Sequence, residues 1–281
     1  MPNKYHVRKV GKSLQFPFLV SVVCWIDLLG YGSMISAAGF NPLHPKSGQA
    51  LKRIRSFHDK VAAHSNRYFR TLVVNDGAAA YRDLSFSTQS VTHDFLVKAW
   101  DLFGDINKYE RENQYPGARL VLACGFRMRG RRGGFDPANR QYQSVLERYR
   151  AGTLKAEQAI SEAAAIRQPS DVVPHLQANF AFTKAYVAET TGTAGGLGGS
   201  KFYVDLLLFD RPLPPWIVLG PEIRWSNTRL GLEGSFAAVA GLPVTRHAKG
   251  GPSGLRNGLE IAQQIAGDPD VLAALRVARK A

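Results

Sequence analysis

The sequence is poor in cysteine, short of acidic residues and without a long apolar run. Its 281 residues include two cysteines, Cys24 and Cys124, each inside an apolar stretch. Two thiols build neither a disulfide framework nor a four-cysteine metal site. They are expected as buried thiols in a reducing compartment, which points to the cytoplasm. No stretch reaches the roughly 18–20 apolar residues of a membrane span, so no membrane partner is expected. A basic start (Lys4, His6, Arg8, Lys9, Lys12) ahead of Phe16–Ile26 imitates a signal peptide. Asp27 interrupts that run at once, and its composition is strand-like. Carboxylates are outnumbered, 22 Asp+Glu against 36 Lys+Arg, for a net charge of +14. The excess favours a polyanionic partner: nucleic acid, an anionic membrane or a phosphate-rich small molecule. There is no internal repeat.

What is present is ordinary globular material, 45% hydrophobic and 21% charged, enough for a sizeable core. Residues 1–13 read as a loose basic tail, and 14–281 as a single domain. FLVSVVCWID (18–27) is β-branched, aromatic and apolar on both faces, the pattern of a central strand. GYGSMISAAGFNPLHPKSG (30–48) reads as a loop. Residues 49–67 have helical spacing, with Leu51, Ile54, Phe57, His58, Val61 and Ala62 on one side. RTLVVNDGAAAYRDL (70–84) places Asp-Gly between two apolar arms, a strong hairpin signal. A second amphipathic helix over 90–109 precedes an apolar strand, ARLVLACGFRMRG (118–130). The order β, α, β-hairpin, α, β is most of a ferredoxin-like split βαββαβ sheet, an α+β fold. Two alanine-rich helices follow, broken at Gly152 and Thr153, as a helical insertion over about 135–168. A helix is expected over Asp171–Thr191 with Pro174 in its first turn, then a flexible GTAGGLGG link (192–199), a strand KFYVDLLLFD (201–210) and a C-terminal helical stretch from Gly254 to Ala281.

In that sheet the first strand and the central hairpin are neighbours. Asp27 ends the strand and Asp76 sits at the hairpin tip, so two carboxylates meet at one sheet edge. Held that close they repel unless they share a proton or a cation. Magnesium and manganese favour oxygen ligands and bridge carboxylates to substrate phosphates. Gly30 and Gly32 allow backbone N–H groups to approach phosphate oxygens. Taken singly, Asp76 is an ordinary turn residue and Asp27 an N-cap for a short helix; the pairing on adjoining strands is what favours a functional site.

At this point the sequence resembles the class III nucleotidyl cyclases. IDLLGYG supplies Asp27, Leu28, Gly30 and Tyr31 where that family carries a metal aspartate ahead of a glycine turn. LVVNDGAAAY supplies Asn75 and Asp76 for its second. LQANFAFTKAYVAE is similar to the helix bearing the family's transition-state asparagine and arginine. The likeness covers about residues 18–130 and resumes at that helix. Departures are specific. The purine-reading hairpin lysine falls at Leu72, the helix keeps Asn179, and the arginine position holds Thr183 with Lys184 beside it. NDGAAAYRD, QANFAFTKAYVAE and FYVDLLLFD look most like the pyrimidine cyclases of bacterial anti-phage (Pycsar) systems.

The resemblance implies a substrate, a mechanism and partners. The substrate would be a pyrimidine nucleoside triphosphate, UTP favoured, with cytidylate or purine cyclase activity as the alternatives. Two divalent cations, Mn²⁺ or Mg²⁺, would sit on Asp27, Asp76 and the Leu28 carbonyl. The Leu29, Gly30 and Tyr31 stretch would cradle phosphates, and Leu72 would lie near the base. A homodimer with composite sites would bring Asn179, Thr183 and Lys184 from the second protomer. The diffusible cyclic product would activate a separate effector. Basic Arg127, Arg129, Arg131 and Arg132 follow a strand and read as a solvated loop or a pocket mouth, while Asp205 and Asp210 end a late strand with no ligand role assigned. The rival reading, a basic nucleic-acid-binding protein, requires aromatic residues on an exposed sheet face. RTLVVNDGAAAY has none before Tyr81, so no nucleic-acid partner is expected.

Overall fold

β1 (Phe18–Leu28) is apolar on both faces because it runs through the middle of the sheet with a layer on either side. This arrangement comes from a computed structural model that describes residues 18–128, 137–166, 173, 175–243 and 252–267. The basic tail, Arg129, Arg131, Arg132, Asp171 and Pro174 of the sequence reading lie outside the described residues, as does the chain after 267.

β1 pairs antiparallel with β3 (Gly77–Asp83) on one side and with β4 (Ala118–Met128) on the other. β2 (Arg70–Val74) closes the hairpin with β3 at the sheet edge. α2 (Ser47–His64) and α3 (Ser90–Glu112) supply the two crossovers, so the split βαββαβ unit forms as its pattern predicts. Beyond β4 the sheet continues through β5 (Phe202–Asp205), parallel to β4, and β8 (Leu232–Gly241), antiparallel to β5. β6 (Val218–Leu219) and β7 (Ile223–Asn227) both pair with β8. The result is a mixed sheet within an α+β fold.

Strand alternation sorts β1 between two cores. Val20, Val22, Cys24, Ile26 and Leu28 join Phe57, Phe95 and Leu102 of α2 and α3 and Leu259 of α7 (Gly258–Ala266). Val23 and Trp25 face the other layer, where α6 (Phe180–Thr191) lays Ala181, Ala185 and Ala188 on the sheet. Small residues bring helix and sheet close: a Cβ on Gly125 would lie 3.1 Å from the Ala181 amide nitrogen. The insertion forms α4 (Pro137–Arg150) and α5 (Ala156–Ala165), broken at Gly152 with φ +73°. Both cysteines are buried and unpaired, and burial pushes the Cys24 thiol up to about 12. Among the described residues no helix is long and apolar enough to cross a membrane.

Four local expectations need correction. The 30–48 loop contains a short helix, α1 (Tyr31–Ala37), capped by Gly30 in the left-handed region. The helix expected over Asp171–Thr191 begins at Phe180, because the Asn179 carboxamide oxygen accepts the Phe182 amide and caps it there. Residues 192–199 are no loose link: Gly192–Gly195 form a 3₁₀ turn, and Gly192 and Leu197 are buried. The strand expected to run to Asp210 stops at Asp205, whose carboxylate accepts the Leu207 amide and turns the chain.

Candidate active site

Asp27 is the penultimate residue of β1. Its register partners are Gly77 on β3 and Arg119 on β4. Asp76 directly precedes Gly77, and its carbonyl accepts the Leu28 amide at 3.1 Å. The hairpin turns at Asn75, which has φ +53° and donates its side-chain amide to Asp76 Oδ1 at 2.8 Å. The His58 ring lies 2.8 Å from the Asn75 carbonyl and ties the turn to α2. The two aspartates that the pattern puts at one sheet edge are therefore neighbours across a strand pair. Asp27 is a strand residue and not a helix N-cap, since Gly30 holds that place.

Alternation turns Asp27 to the face shared by Val23 and Trp25, under α6. Arg119 on β4 shares that face with Val121 and Ala123. Its Nε donates to Glu189 Oε1 at 2.9 Å, and its Nη2 donates to the same oxygen at 2.6 Å and to the Glu189 carbonyl at 3.1 Å. The last turn of α6 thus delivers a third carboxylate. Burial, then the negative charges of Glu189 and Asp76, push the Asp27 carboxyl up to about 7 against the opposing pull of Arg119 and Arg53. Glu189 is also raised, mainly by burial with Arg119 opposing and Asp76 adding. The Tyr31 phenol is raised by burial and by Asp76.

The donor set suits a hard divalent cation. It offers two ionisable carboxylates and backbone oxygen, with no competing thiol or imidazole ligand. Among the described residues no group of three or more His, Cys, Asp or Glu is placed to hold a metal ion by itself. An ion here would finish its shell with water and substrate oxygens, as magnesium does. The half-buried Asp27 carboxylate, facing two like charges, is the group that such an ion would relieve.

The remaining sequence candidates fall in two places. Leu28 is buried and Tyr31 packs into the first core, while the Leu29 amide donates to the Gly117 carbonyl at 2.9 Å. Leu72 is half-buried against the second core, opposite Ala79. Asn179, Thr183 and Lys184 lie along α6. Asn179 is buried, with its side-chain amide donating to Ser21 Oγ at 3.2 Å and to the His175 carbonyl at 2.8 Å. Ser21 is six residues before Asp27, about 20 Å along a strand. Asn179 therefore does not reach the Asp27 site of its own chain. The exposed Thr183 hydroxyl donates to the Asn179 carbonyl at 3.3 Å. Lys184 Nζ donates to Asp205 Oδ2 at 2.7 Å, and that oxygen also accepts the Cys124 amide at 3.3 Å. Arg127, read as part of a solvated loop, is instead buried and grips Asp83 through two bonds of 2.5 and 2.6 Å.

Sequence reasoning missed Arg119 and Glu189. Each had a signal: a cation at the start of the apolar ARLVLACG stretch, and a lone acid in the alanine-rich AYVAE stretch. It also missed a buried pair behind the site, Arg53 of α2 and Glu110 of α3.

No protein-family model matches the chain, and no curated protein is significantly similar to it. Solved structures that it is similar to include the guanylyl cyclase Cya2, at 12% identity and a TM-score of 0.47, over 80% of this chain and 93% of that one. Another is the adenylyl cyclase CyaB from P. aeruginosa, at 6% identity and a TM-score of 0.46, over 84% and 98%. A third is the guanylyl cyclase domain of the RhoGC fusion protein from the aquatic fungus Blastocladiella emersonii, at 11% and 0.40, over 80% and 95%.

Proposed function

We propose that this chain is a nucleotidyl cyclase of the class III type. It converts a pyrimidine nucleoside triphosphate, UTP by preference, to the 3′,5′-cyclic monophosphate and pyrophosphate. The observation that carries the reading is the meeting of Asp27, near the end of β1, with Asp76, just before β3, whose negative charge helps to raise the Asp27 carboxyl. Divalent cations bound there would supply charge neutralisation at the phosphates and a lowered pKa for the attacking hydroxyl.

The substrate's 3′-oxygen attacks the α-phosphorus and loses its proton to water, while the bond from that phosphorus to the bridging oxygen breaks and pyrophosphate leaves. The chain's own contribution is positioning and charge. Asp27, Asp76 and the Leu28 carbonyl would hold the ions at the triphosphate end. The Gly30 and Tyr31 backbone lies against the phosphates, whereas the Leu29 amide and carbonyl are already taken by the Gly117 carbonyl and Arg53. Arg119, beside Asp27 and freed from Glu189, offsets phosphate charge.

The ribose and base side comes from a second copy of the chain. The 20 Å offset between Asn179 and Asp27 within one chain supports that division. So does the outer side of α6, where Phe180 and Tyr186 stand exposed. In a homodimer, Asn179 orients the ribose of the partner's substrate, Thr183 lies where the family arginine falls, and Lys184 lends charge. Leu72 in place of the purine-reading lysine supports the pyrimidine preference. The product then acts on a separate cyclic-nucleotide sensor in antiviral defence within the cytoplasm.

The test is incubation of the purified protein with each of the four triphosphates and Mn²⁺, with the cyclic product identified by mass spectrometry. Cyclic UMP as the main product is expected. A purine product reassigns the base, and no cyclic product from any triphosphate removes the reading.

A further inference from the structure

Leu29 and Gly117, close to Asp27, have every backbone polar group tied down, by each other and by side chains of α2 and α3, which carry none of the proposed ligands. The Leu29 amide donates to the Gly117 carbonyl at 2.9 Å. The Leu29 carbonyl accepts from Arg53 Nη2 at 2.9 Å, and the same nitrogen reaches the Gly117 carbonyl at 3.4 Å. The Gly117 amide donates to Glu110 Oε2 at 3.2 Å. Arg53 and Glu110 hold each other through bonds of 2.5 to 3.1 Å, with side chains 0% and 2% exposed. The Tyr115 ring lies 4.9 Å from the Arg53 guanidinium carbon. Only glycine fits at 117: its φ is +95°, and a Cβ there would lie 2.4 Å from Ser200 Oγ.

A buried ion pair is weak support for stability, since an apolar pair of similar volume is often as good. Its placement is what distinguishes this one. Leu29 is two residues after Asp27, and Gly117 two residues before Arg119. We infer that Arg53 and Glu110 are positioning residues that lock the end of β1 to the start of β4 and so fix Asp27 and its cross-strand Arg119 as one rigid unit. They touch no substrate. They act by denying the strand ends the freedom to splay when phosphate charge arrives. The consequence for turnover rests on the cyclase reading; the locking itself does not.

The conservative substitutions Arg53→Lys and Glu110→Gln keep most of the volume, and circular dichroism verifies the fold. Hydrogen exchange is followed by mass spectrometry in peptides over residues 27–33 and 114–119, with α6 as the internal control. The inference expects exchange there to rise about tenfold or more while α6 is unchanged, as for a local opening. It also expects kcat to fall by up to about 100-fold with KM for the triphosphate little altered, as misplacement by about 1 Å does. Unchanged exchange in both variants overturns the lock, and so does an equal rise across the whole chain. Loosened strand ends with wild-type kcat overturn the positioning role. If the wild-type protein cyclises no triphosphate, the cyclase reading falls separately, and the exchange data still decide whether the strand ends are locked.

Discussion

Replacing Gly77 with alanine tests whether the Asp76 turn is held where the site needs it. A Cβ at Gly77 would lie 2.4 Å from Trp25 Cζ2 and 3.0 and 3.1 Å from Cη2 and Cε2. Ordinary contact is about 3.5–4.0 Å, so roughly 1 Å of relief is required. Trp25 cannot easily give it. It is 6% exposed and meets the edges of Phe182 and Tyr186 at ring separations of 6.0 and 5.1 Å. The hairpin end must move, carrying Asp76 away from Asp27. Overpacking of this kind costs about 1–3 kcal/mol, or about 2–4 °C of melting temperature per kcal/mol in chains of 150–250 residues. Trp25→Phe deletes the ring atoms that clash and alone costs on the order of 1–2 kcal/mol through the space it leaves. In the double variant the two losses should fall short of their sum by about 1 kcal/mol or more. Denaturant unfolding of the four proteins measures this. Strict additivity, or a Gly77→Ala protein as stable as wild type, would refute the packing argument.

Asp27→Asn and Asp76→Asn should each abolish cyclic-nucleotide formation in the product assay. The melting temperature without added cation should stay equal or rise, because each removes a negative charge that acts on neighbouring carboxylates. Lys184→Met should destabilise by about 3–5 kcal/mol, since it leaves Asp205 buried and unpaired; a parallel Asp205→Asn change should recover much of the loss in the same melt. Asn179→Ala should cost about 1 kcal/mol as a lost N-cap. Asn179→Ser keeps a cap acceptor for the Phe182 amide without a buried charge, so a variant within about 1 kcal/mol of wild type that turns over slowly would separate the role in the partner's site from the cap.

The parts of the fold legible in the sequence were those set by local periodicity. The two-faced apolar run of β1, the Asp76-Gly77 turn and the stripes of α2 and α3 led directly to the βαββαβ core and to the adjacency of the two aspartates. What stayed hidden depends on partners remote in the chain. The start of α6 is set by Asn179, whose cap needs a buried niche beside Ser21. The end of β5 is set by the Asp205 carboxylate turning inward to Leu207, Cys124 and Lys184. Arg119 and Glu189 are 70 residues apart in sequence, and Arg53 and Glu110 are 57 apart. A charged residue in an amphipathic helix reads as solvated until the packing shows it enclosed.

The central claim is that Asp27 and Asp76 hold divalent cations jointly. Electron paramagnetic resonance titration of Mn²⁺ into the protein with a non-hydrolysable triphosphate analogue tests it most directly. The account predicts bound Mn²⁺ in the wild-type protein, with affinity lost in both Asp27→Asn and Asp76→Asn although each remains folded. Wild-type affinity in either variant would contradict it.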